Sequence, residues 1–492
     1  SHAFATEFHN KQLTDAMVND VGDDGALHDS EAAWLSRGLA EACLRYINGT
    51  AAGEGLRVCA YEFTWLPILK ALKRALDRGV DVRIVYHDTK KPKDPNRKAI
   101  AAAKIPATAT IHGTKTTVLF PRTRTKIPHN KFIVRLSGGK PKQVWTGSTN
   151  FTDTGFLGQT NVGHLVNDAG TAQIYLNYWL ELSGDPPLSQ AVANAIQLTR
   201  NPPNVVAAPV SEFFSPRKAD NMLDWYAQRI ADSGSLAMMT IPFNVADTIL
   251  SGLSRRGAAL RLVVLEDAPT PAVLKAEKDN RGKLLFSNGA LMNKSFAKIK
   301  SSFGGAKVAP IPHSPLDKWF IGEELARPTN NGHVFFVHSK VLLIDPMSKD
   351  PLVCSGSANF STNSLIANDE NMLIVRGDTR VADIYMTELD RLFRHFYARD
   401  IINKFAADGS GDNPLLLDPT DAWIARNFKP GTYKNARREL FFPPSGGGGA
   451  TWVAAAAKDS DPFADEDKRV AARRAKRNSA RKKPAPARKK KT

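Results

Sequence analysis

The sequence contains an internal duplication, and this feature constrains its fold more than any other. Two segments, Lys126–Val166 and Val334–Val375, each carry a His-x-Lys motif followed by a Gly-Ser-x-Asn stretch. The first motif begins at His129 and the second at His338. The same offset separates two further pairs of polar residues, Ser148 and Ser357, and Asn150 and Asn359. Because one spacing is kept across the whole segment, we infer that the chain consists of two homologous halves.

A second repeat precedes each of these segments and predicts the type of secondary structure. Leu56–Asp88 and Leu236–Asp267 each contain an apolar run, an amphipathic stretch that ends in Arg-Gly, and a second apolar run. This order is typical of a strand, a helix and a strand, with Gly79 and Gly257 as helix C-caps. Because strands joined through a crossover helix pair in parallel, we predict an α/β fold.

The composition along the chain predicts four regions. We assign residues 1–205 to the first half, 206–405 to the second half and 406–445 to a C-terminal extension. Residues 446–492 combine a Gly-rich linker, an acidic patch and a basic tail, and we expect them to be disordered. Within the second half, Glu266–Ile321 is rich in Lys, Gly and Pro, and we interpret it as an insertion of surface loops with one helix.

The basic tail carries most of the net charge of the protein. The formal net charge is +18, and Lys468–Thr492 contains 13 Lys and Arg residues without any acidic residue. The remaining residues therefore carry only about +5. Such a segment binds a polyanion, for example nucleic acid, through the release of counterions. An anionic membrane surface attracts it as well, so the sequence leaves both partners open.

Other features narrow the class of protein. Cys43, Cys59 and Cys354 are scattered and form no Cys-x-x-Cys pair, so we expect buried thiols rather than disulfides or a zinc site. No apolar run approaches the length of a membrane-spanning helix. No signal peptide is visible, which favours a cytoplasmic location, although the chain begins at Ser1 and a removed signal peptide would leave no trace.

The His-x-Lys motifs have the composition of a site that cleaves phosphodiesters. Residues two apart in a strand point to the same face, so His129 projects with Lys131 and His338 with Lys340. A pocket that received both pairs would hold two imidazoles and two ammonium groups. The lysines can neutralise the non-bridging oxygens, while one histidine attacks phosphorus and the other protonates the leaving oxygen. Because the protein supplies these charges, we expect no metal and no other cofactor.

Hydroxyl and amide groups follow each motif and add hydrogen-bonding capacity to this site. They belong to Ser148, Asn150, Ser357 and Asn359, and we expect them to donate to phosphate oxygens and to position the lysines. Further along the second half, we expect the carboxylate of Glu370 to hydrogen-bond the His338 ring and to raise its basicity. The equivalent position of the first half is Asn161, which can orient a ring but carries no charge.

The motif segments also resemble a known family. The stretches HNKFIVRL and GSTNF of the first half, and HSKVLLID and GSANF of the second, are similar to the duplicated HxK(x4)D and GSxN signature of the phospholipase D superfamily. The resemblance covers about residues 55–400. It implies two α/β/α sandwich halves with mixed β-sheets, related by a pseudo-two-fold axis. It also implies a phosphodiesterase that works through a covalent phosphohistidine intermediate.

The resemblance assigns roles to individual residues. Asp345 matches the Asp of the family pattern, which is structural, whereas Leu136 stands at this position in the first half. The family pattern implies that His129 is the nucleophile and that His338 is the general acid. A hydrogen bond from His338 to Glu370 would suit a ring that must hold a proton at neutral pH.

Residues at the strand ends are expected to contact substrate, because strand ends rim the pocket in α/β folds. The residues that follow the first strand of each half are Glu62 and Phe63, and Phe243 and Asn244. Since both motifs belong to one chain, we expect a monomer with internal pseudo-two-fold symmetry.

The motifs do not distinguish among the substrates of the superfamily. The basic tail favours a nuclease that acts on DNA or RNA, with the tail as an anchor that does not read sequence. The alternative is a phospholipase D or phosphatidyltransferase acting on phospholipid head groups, although no helix has a convincing membrane-binding face. A third hypothesis, a catalytically inactive scaffold that binds nucleic acid, conflicts with two intact His-x-Lys motifs.

Overall fold

The computed structural model describes residues 13–199, 209–289, 336–408, 424–425 and 427–442, without the side chains of 399–408. The Gly-rich linker, the basic tail and the greater part of the predicted insertion lie outside these residues. No helix within the described ranges is long and apolar enough to cross a membrane. The three cysteines are buried and free, as expected from their scattered positions.

The first half is built on a mixed six-stranded sheet. In chain order its elements are α1 (Asp15–Asn19), α2 (Ser30–Ser36), α3 (Leu39–Asn48), β1 (Gly55–Ala60), α4 (Leu66–Asp77), β2 (Asp81–His87), α5 (Pro95–Ala102), β3 (Thr108–Ile111), β4 (Thr114–Thr117), β5 (Leu119–Arg122), β6 (Ile127–Pro128), β7 (Lys131–Ser137), β8 (Lys140–Gly147), α6 (Asp153–Leu157), β9 (Gly163–Val166), α7 (Ala169–Ser183) and α8 (Leu188–Leu198). The strand order in the sheet is β5-β2-β1-β7-β8-β9. Strands β1, β2 and β5 are parallel, whereas β7, β8 and β9 run antiparallel to their neighbours.

The second half repeats this plan. Its elements are β10 (Val210–Ser215), α9 (Asn221–Ala231), β11 (Leu236–Ile241), α10 (Asp247–Ser254), β12 (Leu260–Leu265), α11 (Pro271–Asp279), β13 (Leu284–Asn288), β14 (Val341–Ile344), β15 (Leu352–Gly356), α12 (Thr362–Ile366), β16 (Asn368–Arg376), α13 (Thr379–Asp408) and, in the extension, α14 (Tyr433–Phe441). Read from the opposite end, its sheet has the order β13-β12-β11-β14-β15-β16-β10. Strand β6 of the first half pairs in parallel with β16, which joins the two halves.

The strand orders of the two halves correspond from β5 and β13 through to β9 and β16. The predicted α/β fold with two homologous halves and mixed sheets is therefore confirmed. Both predicted strand–helix–strand units are present, as β1-α4-β2 and β11-α10-β12. Gly79 follows α4 with a φ of 90°, a left-handed conformation that suits glycine after a helix. The prediction for Gly257 was wrong, because α10 ends at Ser254 and its C-cap is Arg255.

The predicted insertion begins later than the sequence suggested. Its first part forms α11 and β13, and β13 extends the second sheet by pairing in parallel with β12. All five residues of β13 are buried, since the run LLFSN provides apolar side chains on both faces. The expected helix is therefore present as α11, whereas the interpretation of this part as surface loops was wrong because it contains the buried strand β13. The remainder of the segment lies outside the described residues.

Alternating side chains of the central strands divide the core of each half into two layers. In β7, Ile133 packs with α3 and α4 on one face, whereas Phe132 and Val134 pack with α7 on the other. In β14, Leu342 packs toward α9 and α10, and Leu343 toward α13. Each sheet is therefore covered by helices on both faces. The polar side chains of its central strands can reach a substrate at the strand ends.

Candidate active site

Both His-x-Lys motifs lie where central strands of the two sheets begin. Lys131 opens β7 and pairs with Ala60, the last residue of the parallel strand β1. In the second half, Val341 opens β14 directly after Lys340 and pairs with Thr240 near the end of β11. Each motif therefore occupies the edge at which the parallel strands end, which is the usual place for a site in an open α/β sheet.

Contacts between the halves bring these two edges together. Strand β6 pairs with β16, and Thr160 forms a β-bridge with Val337, the residue before the second motif. Burial lowers the pKa of both motif histidines well below the usual range, and the ammonium groups of both motif lysines lower it further. Since each histidine is affected by the lysine of the other half, the two motifs form one cluster.

The histidines are oriented by residues of the opposite halves. Nδ1 of His129 lies 2.9 Å from Oε2 of Glu370, and Nδ1 of His338 lies 2.9 Å from Oδ1 of Asn161. The sequence-based prediction that Glu370 would bind His338 was wrong. Each of these two residues, which are equivalent in sequence, approaches the histidine of the other half and not that of its own half, and the motifs alone do not contain that information.

The hydrogen bonds of Asn161 define which nitrogen of the second histidine carries a proton. The amide nitrogen of Asn161 donates to the Gly155 carbonyl at 2.9 Å and to Oε1 of Gln159 at 3.1 Å, so its oxygen faces His338. Nδ1 of His338 is therefore the donor, and a carboxylate imposes the same arrangement on the other ring. In both rings, Nε2 is left for chemistry.

The serines of the Gly-Ser-x-Asn stretches support the orienting groups. The hydroxyl of Ser357 donates to Oε2 of Glu370 at 2.7 Å, and the hydroxyl of Ser148 donates to Oδ1 of Asn161 at 2.8 Å. Both serines are fully buried. The expectation that these hydroxyls would donate to phosphate oxygens was wrong, because their protons are directed at the orienting oxygens.

The two motif lysines are buried side by side. Each Nζ donates to the backbone carbonyl of the histidine in its own motif. Burial lowers the pKa of Lys131 to about 7, although the carboxylates of Glu370 and Glu62 oppose this effect. Burial and the charge of Lys131 together lower the pKa of Lys340 well below its usual value. An anion bound between the two ammonium groups would relieve this repulsion and restore their charge.

The pKa of the buried carboxylate in the site, Glu370, is shifted in the opposite direction. Burial raises the pKa of Glu370 to about 7, and the nearby ammonium group of Lys131 limits the increase. Glu370 is fully buried and accepts hydrogen bonds from Ser357 and, at 3.1 Å, from the side chain of Asn368. Its negative charge is therefore available near neutral pH only while a cation lies beside it.

The two asparagines of the Gly-Ser-x-Asn stretches have different surroundings. The amide of Asn150 donates to the carboxylate of Glu62, which brings that predicted contact residue to the site. For Asn359 no corresponding carboxylate is present among the described residues. The side-chain oxygens of Asn150 and Asn359 are buried without a hydrogen-bond partner within the described part of the chain. Such atoms cost about 1–3 kcal/mol each unless a ligand or water pairs with them.

The other predicted contact residues have different positions. Phe63 is fully buried in the core of the first half, so the prediction that it contacts substrate was wrong. Phe243 is 47% exposed and lines a shallow surface depression with Asn244 and Asp267. The strand register makes Phe243 the residue of the second half that is equivalent to Glu62. No contact joins Phe243 or Asn244 to the motif residues in the described structure, so their role remains a prediction.

Asp345 lies at the far end of β14 from the motif. Its carboxylate accepts hydrogen bonds from the backbone N–H groups of Gly234, Ser235 and Leu236, at 2.7–3.1 Å. Asp345 therefore stabilises the backbone where β11 begins and does not contact the site. The equivalent residue, Leu136, packs in the core beneath α7.

Sequence reasoning missed Tyr61, which follows β1. Its ring centroid lies 4.9 Å from that of His129 and 5.1 Å from Nζ of Lys131. On its other side the ring stacks on His87 at 5.3 Å. Burial raises the pKa of Tyr61 to about 12, so the phenol stays neutral. In the sequence, the only indication for Tyr61 was its position next to Glu62.

Two buried polar contacts between the halves were also missed. Nε of Arg122 donates to Asp369 at 2.8 Å, and both side chains are fully buried. The amide of Asn371 donates to Oδ1 of Asn130 at 2.7 Å. Asp369 and Asn371 flank Glu370 in sequence, so their contacts fix its strand against the first half. Each links positions that are far apart in the sequence, which gave no local signal for either.

The sequence matches one known family over both halves. The family described as cardiolipin synthase, PLD-like domain, matches residues 45–182 and 231–393, which is more than half of the chain. Among curated proteins, none matches the chain significantly.

Several solved structures are similar to the chain. Phosphatidylserine synthase from Haemophilus influenzae is 13% identical, with 72% of this chain and 83% of that chain covered and a TM-score of 0.44. Polyphosphate kinase from Porphyromonas gingivalis is 10% identical, with 71% of this chain and 47% of that chain covered and a TM-score of 0.42, so this chain spans about half of its length. Nuc from Salmonella typhimurium, a phospholipase D family member, is 27% identical over 29% of this chain and 86% of its own, with a TM-score of 0.24.

The fold and the paired motifs define an enzyme of the phosphodiesterase class. The family match shows that the chain belongs to the phospholipase D superfamily.

Proposed function

We propose that the protein is a nuclease that hydrolyses phosphodiester bonds of DNA or RNA through a covalent phosphohistidine intermediate, without a metal. The observation that carries the chemistry is the crossed arrangement, in which each histidine donates from Nδ1 to a residue of the other half. We assign the chemistry to the two Nε2 atoms, which belong to a cluster with two buried lysine side chains. Such a cluster suits a phosphodiester with a nucleophile on one side and a proton donor on the other.

His129 is the nucleophile in this proposal. When Nε2 attacks phosphorus, the imidazole ring becomes positively charged. Glu370 accepts the Nδ1 proton of this ring at 2.9 Å, so its carboxylate stabilises that charge in the transition state and in the intermediate. The assignment is the one expected from the family resemblance, but its physical reason is different, because the carboxylate supports the nucleophile and not the acid.

His338 is the general acid. Its Nδ1 donates to the neutral amide oxygen of Asn161, so no carboxylate holds the ring in its protonated form. The negative charge of the bound phosphodiester favours the form of His338 that is protonated on both nitrogens. The Nε2 proton of this ring passes to the leaving oxygen as the bond between phosphorus and oxygen breaks. The neutral ring then takes a proton from water, the hydroxide attacks phosphorus, and His129 is released.

The lysines and Asn150 and Asn359 hold the non-bridging oxygens. The repulsion between the ammonium groups of Lys131 and Lys340 is relieved by the negative charge of the phosphate, which increases in the transition state. No group of three or more His, Cys, Asp or Glu side chains that would hold a metal lies within the described residues.

The substrate is proposed from charge. The tail, which lies outside the described residues, has 13 cations and no acid in Lys468–Thr492 and would anchor a nucleic acid without reading its sequence. The same tail would also bind an anionic lipid surface, so phospholipid remains the competing substrate.

The test is to incubate the full-length protein with single-stranded DNA, plasmid DNA, RNA and phosphatidylcholine vesicles, each in the presence of EDTA. We expect nucleic-acid cleavage that is lost in H129A and H338A, and no release of choline. Cleavage of lipid alone would refute the nuclease function while leaving the phosphodiesterase chemistry in place. No turnover of any diester would favour a scaffold.

A further inference from the structure

The two halves present different charges at the edge that carries the active site. Because the two sheets have corresponding strand orders, the loop that follows β2 in the first half corresponds to the loop that follows β12 in the second. Both β2 and β12 are parallel to the central strand next to their motif, so both loops lie at the edge of the site. Their sequences, DTKKPKD and EDAPT, have little in common.

The loop of the first half directs its positive charges to solvent and keeps its acidic groups inside. The carboxylate of Asp88 accepts from the N–H of Lys90 at 2.7 Å and from Arg97 at 2.7 Å. Asp94 caps α5 by accepting from the Arg97 N–H, and it also binds the hydroxyl of Thr89. Both aspartates are buried. The exposed lysines of this segment are Lys90, Lys91, Lys93 and Lys98.

These exposed lysines have no carboxylate partner within the described part of the chain, whereas the acidic side chains beneath them are already paired. The loop is also fixed in place. The buried side chain of Asn96 donates to the carbonyls of Tyr61 and His87 at 2.7 and 2.9 Å and accepts from the N–H of Phe63 at 2.8 Å. A rigid loop can hold its cations in a defined place without a large entropic cost on binding.

The same contacts connect the loop to the site. Asn96 holds Tyr61, and the Tyr61 ring contacts His129 and Lys131. The segment that follows β5 reaches the same edge, and there Arg124 and Lys126 are exposed just before the first motif. Nζ of Lys126 lies 3.3 Å from Oδ1 of Asn363, a neutral group. Cations therefore lie on two neighbouring segments at the rim of the first half.

The part of the second half's rim that the structure describes lacks this feature. The loops 242–247 and 266–271 contain no Lys or Arg. Asp247 and Asp267 are exposed there, beside the exposed ring of Phe243. Among the described residues, the site is thus bordered by positive charge on one side and by acidic and apolar groups on the other.

We propose that the polyanionic part of the substrate extends from the scissile phosphate over the first half, where its flanking phosphates contact the lysines of the loop that follows β2 and the cations Arg124 and Lys126. The group on the other side of the scissile phosphate lies against the second half, beside the loops that contain Asp247 and Asp267. This inference rests on the proposed nuclease function and adds the direction in which the strand leaves the site.

The test uses two matched double variants of the full-length protein. K91Q/K93Q removes two exposed charges from the loop at the site. K140Q/K142Q removes two exposed charges at the start of β8, which is the opposite edge of the same sheet. Both variants change the net charge equally, so a general effect of charge appears in both.

Each variant is assayed with a single-stranded oligonucleotide of about 20 nucleotides and with bis(p-nitrophenyl) phosphate, which fills only the site. We expect K91Q/K93Q to lower kcat/KM for the oligonucleotide by about 5-fold or more at low salt. The slope of its logarithm against the logarithm of salt concentration should become shallower by about 0.7 for each phosphate that a lysine no longer neutralises. Turnover of the small diester should not change, and K140Q/K142Q should behave as the unmodified protein with both substrates.

Equal effects of the two variants on the oligonucleotide, including no effect, would overturn the proposed path while leaving the nuclease function in place. A matching decrease with the small diester in K91Q/K93Q would also overturn it, because the loop would then act by supporting the site. If the unmodified protein does not cleave the oligonucleotide but cleaves the small diester, the nuclease function itself fails, and the path fails with it.

Discussion

The two orienting residues of the site differ in charge although they occupy equivalent positions. Glu370 holds His129 and Asn161 holds His338, each across the boundary between the halves. A carboxylate stabilises a ring that becomes cationic, whereas a neutral amide orients a ring without increasing its hold on a proton. In the proposed mechanism, the division between a nucleophilic and a proton-donating histidine therefore depends on the carboxylate of Glu370.

Removal of this charge should impair catalysis without disrupting the hydrogen bond. In E370Q, an amide oxygen can still accept from Nδ1 of His129, but the cationic ring loses its counter-charge. We expect kcat to fall by about 100-fold or more, with a smaller change in KM, measured by steady-state kinetics with a small diester. An equal decrease in N161A would show that orientation alone matters, and would contradict the asymmetric roles.

Addition of a charge at the other position should move the pH profile. In N161D, a carboxylate beside His338 would favour the protonated ring and raise its pKa. The acid form would then persist to higher pH, so the alkaline limb of kcat against pH should shift upward. A profile that moves downward or stays unchanged would contradict the role of His338 as the acid.

The buried lysines predict an uptake of protons when an anion binds. Burial holds the pKa of Lys131 at about 7, so part of the population is neutral at pH 7–8. A bound anion raises that pKa, and the lysine then takes up a proton. Calorimetric titration with sulfate, an anion that does not itself titrate near neutral pH, in buffers of different ionisation enthalpy should therefore show net proton uptake at this pH. Net release would contradict the charge distribution described for the site.

At the scale of elements, strand β16 connects the site to both halves. It carries Glu370 and pairs with β6, and its residue Asp369 forms an ion pair with Arg122. Arg122 is fully buried and also bonds Asp185 at 2.8 Å, so it has two carboxylate partners. Loss of one member of such a buried group leaves uncompensated charge in the interior.

We expect R122M to lower the free energy of unfolding by about 3–5 kcal/mol, measured by denaturant unfolding, because Asp369 would remain buried without its partner. The matched control is R376M, which removes an ion pair with Asp350 at the surface and should destabilise the protein far less, because water screens this pair. If both variants are destabilised equally, Arg122 does not hold the strand in the way described.

The sequence predicted some elements better than others, for physical reasons. The strands of the His-x-Lys motifs were predictable because the two-residue alternation of side chains in the motif continues into the apolar run that follows it. The run LLFSN of β13 was missed because the Lys-rich and Gly-rich residues around it obscured a short buried strand. Phe63 was misassigned because a residue that follows a strand can turn either to the rim or to the core, and here it packs against Phe151.

At the scale of the whole molecule, the duplication predicted two halves but not the way in which they exchange residues. Glu370 and Asn161 were correctly singled out, yet their histidine partners depend on how two separate sheets are placed against each other. Local spacing contains no information on that placement. Each half supplies one histidine and the partner of the other, so neither half contains a complete catalytic pair.

The tail should affect affinity and leave chemistry unchanged. Deletion of residues 468–492 removes 13 cations, and we expect binding of a long nucleic acid to weaken at physiological salt with a less steep salt dependence. Turnover of bis(p-nitrophenyl) phosphate should not change. Unaltered nucleic-acid binding would make the tail irrelevant to the substrate.

The most direct measurement is to trap the covalent intermediate in H338N. The p-nitrophenolate leaving group of bis(p-nitrophenyl) phosphate needs no proton, so His129 should still attack, whereas the water step lacks its base. We predict a burst of about one p-nitrophenolate per enzyme and, by peptide mass spectrometry after rapid quenching at high pH, an adduct on His129 that consists of the phosphoryl group with its remaining p-nitrophenyl ester. An adduct on another residue, or no adduct while turnover continues, would contradict the account.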